Sequence, residues 1–327
     1  MRAMLCDAPG EPASLRLVDI ESAALGAGEV RIAVEAAGVN FADLLLIRGE
    51  YQDQPPYPFV PGLEVAGEVV EMAEGVTGLA VGQRVLAFLG SGGFADLATT
   101  QAANVTPIPE GMEAAVAATF PVVYATSHLA LVHRARLQPG EVLLVHGASG
   151  GVGLTAVEVG HALGATVIAS ASSADKLAIA QAHGADHLIN YAEEDIRERV
   201  LALTGGADVV YDPVGGESFR ASLRCIRPGG RILVIGFASG DVPQIPANHL
   251  LVKDASALGL SLGQLRRHRP EVVRAAMNEL LEWWTAGRLQ PLVSDRFPLE
   301  RAGEAIEVLR DRRAAGKVAL IVHEGAP

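Results

Sequence analysis

The sequence predicts an α/β protein in two parts, a doubly wound parallel sheet in the middle of the chain and a strand-rich domain before it. Three observations carry this reading. The apolar run Val142-Leu143-Leu144-Val145-His146 passes straight into the glycine-rich turn Gly147-Ala148-Ser149-Gly150-Gly151-Val152-Gly153 and then into an amphipathic helix. Strands and helices alternate from there to about Ile235. The first 120 residues instead carry short, glycine-punctuated strands with little helix.

The glycine-rich turn also points to chemistry. Ala148, Gly150 and Gly153 stand at the spacing of the dinucleotide fingerprint, with Ala148 in place of its usual first glycine. Small residues let the chain turn sharply, Gly150 lets a pyrophosphate approach the backbone, and Gly153 lets the helix pack closely on its strand. The helix start then offers N–H groups and a positive dipole end to an anion, so Ser149, Gly150, Gly151 and Val152 are candidate cofactor ligands. A tight strand-to-helix turn can also need glycine without any ligand, and the elements that follow decide between the two.

Thr166–Ser170 reads as the next strand, Ala174–His183 as a helix and Asp186–Asn190 as a third strand. The acidic run Glu193-Glu194-Asp195 opens another helix, Asp208–Asp212 is an apolar strand, and Arg231–Ile235 follows a Pro-Gly-Gly turn. Strands separated by helices of about ten residues imply crossover connections and a parallel sheet, whose ligand crevice lies at the strand carboxyl ends.

The residue about twenty positions past such a turn contacts the adenosine ribose. Here the chain reads Ser170-Ala171-Ser172-Ser173, with no carboxylate to accept from a ribose hydroxyl or to repel a phosphate. Ser172 and Lys176 suit a 2′-phosphate, which favours NADP over NAD. The alternative is that Ser172 or Ser173 caps the helix and Lys176 is solvated.

Composition bounds the rest. A chain of 327 residues with 50% hydrophobic content exceeds one comfortable core and implies two domains. A net charge of −12 argues against nucleic acid or an anionic membrane surface as the partner. Met1–Cys6 leads into a Pro-Gly turn and not into a signal-like apolar run, and no apolar stretch approaches membrane-spanning length. Two distant cysteines, Cys6 and Cys225, exclude a disulfide framework, and a cytoplasmic protein is expected. In the first part, Glu29–Glu35, Val65–Val70 and Gln83–Phe88 read as strands, and many short strands with Pro or Gly turns indicate a small barrel or sandwich. In the tail, Pro270–Ala286 and Leu299–Arg312 are helical in pattern and Lys317–Val322 is a strand, but spacing alone does not place them.

Four segments together are similar to the medium-chain dehydrogenase/reductase superfamily, and within it to the zinc-independent NADPH:quinone oxidoreductase branch. They are Gly38-Val39-Asn40-Phe41-Ala42-Asp43-Leu44 with Tyr51, Pro61-Gly62-Leu63-Glu64-Val65-Ala66-Gly67-Glu68-Val69, Val81-Gly82-Gln83-Arg84-Val85, and His146–Gly153. The resemblance covers nearly the whole chain. It implies a GroES-like β-barrel catalytic domain over 1–122, a Rossmann NADPH-binding domain over 123–260, and a return to the catalytic domain over 261–327. Zinc-dependent relatives carry a cysteine where this chain has Asn40 and a histidine where it has Leu63, although Glu64 remains. A catalytic zinc needs three protein ligands plus an open site. No metal is therefore expected, and the nine histidines show no spacing that would replace the missing ligands.

Without a Lewis acid, reduction of an electrophilic acceptor becomes the natural chemistry. The resemblance implies hydride transfer from NADPH to a quinone. An enoyl or 2-alkenal acceptor, an α,β-unsaturated carbonyl, is the alternative, and a nucleotide-binding protein without turnover is a third reading. By resemblance, Asn40 and Tyr51 face the nicotinamide or acceptor, with Asn40 donating its amide N–H and Tyr51 hydrogen-bonding, stacking or donating a proton. The plainer readings are that Asn40 stabilises a turn and Tyr51 packs on Pro55-Pro56. Asp43 supports the loop, and Leu44-Leu45-Leu46 makes the acceptor pocket more aliphatic than is usual in the branch. The resemblance extends the cofactor site to Thr126, to Tyr191 and Lys176 around the adenosine phosphate, to Gly236 and Phe237, and to Lys317 at a phosphate. Each has a structural alternative, in helix hydrogen bonding for Thr126, core packing for Tyr191 and Phe237, and a solvated strand edge for Lys317. The basic cluster Arg266-Arg267-His268-Arg269 reads as a solvated helix entry and Trp283-Trp284 as core packing. A homodimer is expected by analogy.

Overall fold

Val142–His146 is buried along its whole length because it lies in the middle of a six-stranded sheet. The computed structural model describes residues 1–323 and divides into two units. The second unit spans Val123–Gln290, and the first comprises Met1–Val122 and the segment from Pro291 onward.

In the second unit the strands run in the order His187–Asn190, Thr166–Ala171, Val142–His146, Ala207–Asp212, Ile226–Val234 and Ser256–Gly259, and every pairing is parallel. Continuous apolar runs suit this arrangement, since helices cover both faces of a parallel sheet. Leu144 is in register with Ile168 on one side and Val210 on the other, and all three belong to one buried core. From Val142–His146 the chain adds strands outward in one direction, then returns to add the rest on the other side. The switch point therefore lies between Val142–His146 and Ala207–Asp212, with the glycine-rich turn at its carboxyl end. Helices Gly151–Ala162, Ala174–Ala182, Ile196–Thr204 and Gly216–Cys225 make the crossovers. Asp195 starts the third of them by accepting from Glu198 N at 2.8 Å.

Pro228-Gly229-Gly230, expected as a turn, lies inside the strand Ile226–Val234. The pairing slips there, between Ala207↔Ile226 and Val209↔Arg231, so the regular ladder begins at Arg231, where the strand was expected.

The first unit holds a seven-stranded sheet in the order Val293–Pro298, Lys317–Ile321, Glu29–Val39, Glu64–Met72, Arg84–Phe88 and Val105–Pro107, with Leu97–Gln101 also paired to Glu29–Val39. Glu29–Val39 buries every second residue at first (Val30, Ile32, Val34) and then all of Ala36–Val39, as the strand passes from a one-sided to a two-sided environment. The tail returns here, with Val318 opposite Val39 and Leu320 opposite Ala37.

One expectation gains detail and one is corrected. The strand-rich part contains the helix Phe41–Arg48, whose start is held by the Asp43 carboxylate accepting from Asn40 N at 2.8 Å. The short Asn-x-x-Asp signal ahead of an apolar run was present at Asn40–Asp43 but the segment spans only eight residues. Residues 261–290, expected with the return, instead pack within the second unit: His128 Nε2 meets Glu279 at 3.1 Å, His128 and Trp283 contact edge to face, and Gln290 N donates to Glu158 at 3.0 Å. The return begins at Pro291.

Candidate active site

In the second unit the turn ends in the helix Gly151–Ala162, whose N-cap residue, Gly150, has no side chain to cap the leading N–H groups. The glycines divide by role. A Cβ on Gly153 would lie 2.1 Å from Gly147 O, whereas one on Gly150 would meet nothing nearer than that same oxygen at 3.4 Å. Gly153 is required by packing, and Gly150 lines an open face that a Cβ would begin to fill. Hydroxyl groups hold the turn from behind. Ser127 Oγ donates to Val152 O at 3.0 Å and lies 2.8 Å from Thr155 Oγ1 and 3.0 Å from the Tyr211 hydroxyl. Burial pushes the Tyr211 hydroxyl well up, so it stays protonated. Ser127, Thr155 and Tyr211 were not singled out in the sequence, since nothing in their spacing shows three distant hydroxyls converging.

The other expected cofactor residues follow the carboxyl ends of the same strands. Ser149–Val152 follow Val142–His146, Ser172 follows Thr166–Ala171, Tyr191 follows His187–Asn190, and Gly236 and Phe237 follow Ile226–Val234. Tyr191 and Phe237 are 42% and 40% exposed, so neither packs into the core. Asp212 ties down the neighbouring loop, its Oδ1 accepting from Val214 N at 2.7 Å and Gly215 N at 2.9 Å. Ser173 caps its helix, accepting from Lys176 N at 3.4 Å, and the Lys176 side chain is half-buried beside it. Thr126 is buried in the helix Pro121–His128. An uncapped helix start, an open glycine face and exposed aromatic rings along one sheet edge fit a dinucleotide.

The first unit contributes a separate buried cluster. Asn40 stands in extended conformation between the strand Glu29–Val39 and the helix Phe41–Arg48. Its Nδ2 donates to Glu64 Oε1 at 2.9 Å and, more weakly, to Gly38 O at 3.4 Å. Lys317 Nζ donates to Asn40 Oδ1 at 2.7 Å, Val39 O at 2.8 Å and Glu64 Oε1 at 2.9 Å. The other Glu64 oxygen accepts from Val122 N at 2.7 Å. Glu64 is fully buried and Lys317 nearly so, an arrangement tolerable only because each charge is paired and its remaining valences are used. Lys317, expected at a cofactor phosphate, thus directs its three ammonium hydrogens at acceptors of the first unit.

Asp43 is also fully buried and accepts from Asn40 N and from Gly62 N at 3.1 Å. Burial pushes its carboxyl up to about 7, against the downward pull of those two N–H groups and Lys317. Tyr51 is half-buried and packs against the core of the first unit. Leu44 and Leu46, expected to line an acceptor pocket, belong to that core, and of the three leucines only Leu45 is half-buried.

The donors do not fit zinc. Leu63 offers hydrocarbon, and the oxygens of Asn40 and Glu64 already hold an ammonium ion that would repel a metal cation. Among the described residues no group of three His, Cys, Asp or Glu side chains is placed to hold a metal ion. Nor is any helix among them long and apolar enough to cross a membrane.

Residues 26–110 match the alcohol dehydrogenase GroES-like domain and residues 151–282 the zinc-binding dehydrogenase domain. A quinone oxidoreductase-like protein 2 homolog from Nematostella vectensis is 41% identical over 98% of this chain and 88% of its own. The chain belongs to the quinone oxidoreductase branch of the medium-chain dehydrogenase/reductase superfamily. A solved member of this branch, Escherichia coli quinone oxidoreductase complexed with NADPH, superposes with a TM-score of 0.91 at 30% identity, over 98% of this chain and all of the other. The polyketide synthase GfsB of Streptomyces halstedii is 38% identical over 97% of this chain, which corresponds to 6% of that much longer protein. The zinc-binding name of the second domain coexists in this chain with a donor set that suits an ammonium ion.

Proposed function

We propose that this oxidoreductase uses NADPH to reduce a quinone, without zinc. The observation that carries the reading is the Lys317 ammonium bonded to Asn40 and Glu64, two of the positions at which zinc-dependent relatives differ from or resemble this chain. A likeness to the quinone oxidoreductase-like protein of Nematostella vectensis and to the NADPH complex from Escherichia coli supports it.

When bound, NADPH supplies a hydride to the acceptor. The glycine-rich turn and the helix Gly151–Ala162 would hold its pyrophosphate, Ser172, Lys176 and Tyr191 the adenosine 2′-phosphate, and Thr126 its nicotinamide end, with Gly236 and Phe237 continuing the site beyond the strand Ile226–Val234. Negative charge arriving on a quinone spreads onto a conjugated oxygen, so alignment and hydrogen-bond donors replace a Lewis acid. Asn40 supplies an amide N–H to that oxygen and Tyr51 a hydroxyl or ring face. Exclusion of water strengthens both contacts.

The small-molecule acceptor fits a chain of net charge −12, as does a cytoplasmic setting without nucleic-acid or membrane partners. A homodimer is supported by Ser256–Gly259, the uncharged last strand of the sheet, with Leu251 and Val252 of the adjoining helix Ala247–Lys253 more than four-fifths exposed. The similarity to a polyketide synthase segment supports a second reading, reduction of an activated carbon–carbon double bond. NADPH consumption with a benzoquinone and a 2-alkenal under identical conditions separates the two. Faster turnover of the quinone is expected, faster turnover of the alkenal selects the second reading, and turnover of neither rejects both.

A further inference from the structure

The amide of Asn40 has only one orientation compatible with its neighbours. Its oxygen faces the Lys317 ammonium at 2.7 Å and its nitrogen faces the Glu64 carboxylate at 2.9 Å. Turning the amide over would set an NH₂ group against the ammonium and an oxygen against the carboxylate, converting two charge-assisted hydrogen bonds into two repulsions. Gly38 adds a steric wall, since a Cβ there would lie 2.3 Å from Glu64 Oε1 and 2.6 Å from Ala118 O, so the carboxylate is backed directly by main chain. Of the two Nδ2 hydrogens one is held by Glu64, while the other has only the long 3.4 Å contact to Gly38 O. That second hydrogen is the one bond in the cluster weak enough to be exchanged for an oxygen of an incoming molecule.

We infer that Lys317 is a positioning residue for the hydride-transfer site: it sets, through Asn40 and with Glu64 as counter-charge, which edge of the amide is offered to the acceptor oxygen. The inference rests on the proposed role of Asn40 at the acceptor and assigns Lys317 a different task from holding a cofactor phosphate. A phosphate ligand keeps at least one ammonium hydrogen for its anion. Here all three have protein acceptors, one of them a buried carboxylate that no solvent screens.

Replacing Lys317 alone leaves the Glu64 charge buried without its cation, so the informative variant removes both charges, Lys317→Met with Glu64→Gln. A glutamine at 64 must keep its oxygen toward Val122 N, which turns its NH₂ group toward Asn40. The Asn40 amide then reverses to meet that donor. The double variant is expected to fold, to bind NADPH and NADH within about twofold of the parent, and to lose at least about tenfold in kcat with a quinone, the order expected when a positioned donor is misaligned. Adding Asn40→Ala to it is expected to lower kcat by no more than about twofold further, because residues acting as one unit are not additive. In protein labelled with ¹⁵N at asparagine, the Asn40 side-chain NH₂ signals move in the double variant. Unchanged Asn40 signals, or weaker NADPH binding with unchanged kcat, overturn the inference. A parent enzyme that turns over no quinone rejects the quinone reading instead, and the amide signals and cofactor affinities still decide the role of Lys317.

Discussion

The carbonyl oxygen of Gly147 lies directly against Gly153, where a Cβ would come within 2.1 Å of it. The turn and the first turn of the following helix are therefore locked together by close backbone approach, while a Cβ on Gly150 between them would meet only Gly147 O, at an ordinary contact distance of 3.4 Å. Alanine at the two positions should separate folding from binding. Gly153→Ala is expected to destabilise the protein by about 1–3 kcal/mol, as for overpacking in a close-packed site. Gly150→Ala should leave the melting temperature of the cofactor-free protein nearly unchanged and weaken NADPH binding. A Gly150 variant that binds NADPH normally would show that the open face is not the pyrophosphate site.

Lys176 and Ser173 share one helix start but are expected to act differently. Ser173 caps the helix through the Lys176 backbone, whereas the Lys176 side chain is proposed to serve the 2′-phosphate. Lys176→Ala should weaken NADPH by roughly ten- to a hundredfold, the equivalent of about 1.5–3 kcal/mol for a charged hydrogen bond, and leave NADH nearly unchanged. Ser173→Ala should cost about 1 kcal/mol of stability and affect both cofactors alike. Titrations of the Lys176 variant with both nucleotides check this, and equal losses for the two sink the NADP assignment.

Removing the Glu64 carboxylate should harm the fold more than any surface charge change. Its loss in Glu64→Ala leaves the buried Lys317 ammonium with only two neutral acceptors, and about 3–5 kcal/mol of destabilisation is expected. Urea unfolding measures it; a loss no larger than that of an exposed ion pair contradicts the buried geometry.

Asp43 gives a pH signature. Its carboxyl stands at about 7 in the folded chain against 3.8 for an unperturbed one, so folding takes up a proton between those two pH values. The stability it contributes is full below the lower value, falls as pH rises between them and stays low above the upper one. Asp43→Asn has no such group, so the stability of the variant relative to the parent should improve between about pH 4 and about pH 7 and then stay level. Urea midpoints across that range test it, and a difference that stays flat or drifts the other way is inconsistent with an elevated Asp43.

Activity should be indifferent to metal removal. Dialysis against a chelator is expected to leave NADPH oxidation unchanged and added zinc to give no stimulation, because the oxygens of Asn40 and Glu64 already hold Lys317. Loss of activity on chelation with recovery on zinc would overturn the zinc-free reading.

The amino-acid sequence alone determined the nucleotide-binding half of this protein. Apolar runs such as Val142–His146 alternating with helices of about ten residues suit a parallel sheet covered on both faces, and the glycines of the turn are local steric requirements that short-range patterns express. Through its family resemblance it also pointed to Asn40 and Leu63 as residues standing where zinc-dependent relatives carry a cysteine and a histidine. Tertiary structure decided what the linear pattern does not encode. The tail strand Lys317–Ile321 joins the sheet of the first unit beside Glu29–Val39, and this pairing across almost the whole chain brings Lys317 to Asn40 and Glu64. The same long-range packing carried Leu44 and Leu46 into the core, assigned residues 261–290 to the second unit, and drew Ser127, Thr155 and Tyr211 together behind the turn. A buried ion pair is set by which distant backbones approach each other, and its energy depends on desolvation and geometry that no spacing within the sequence records.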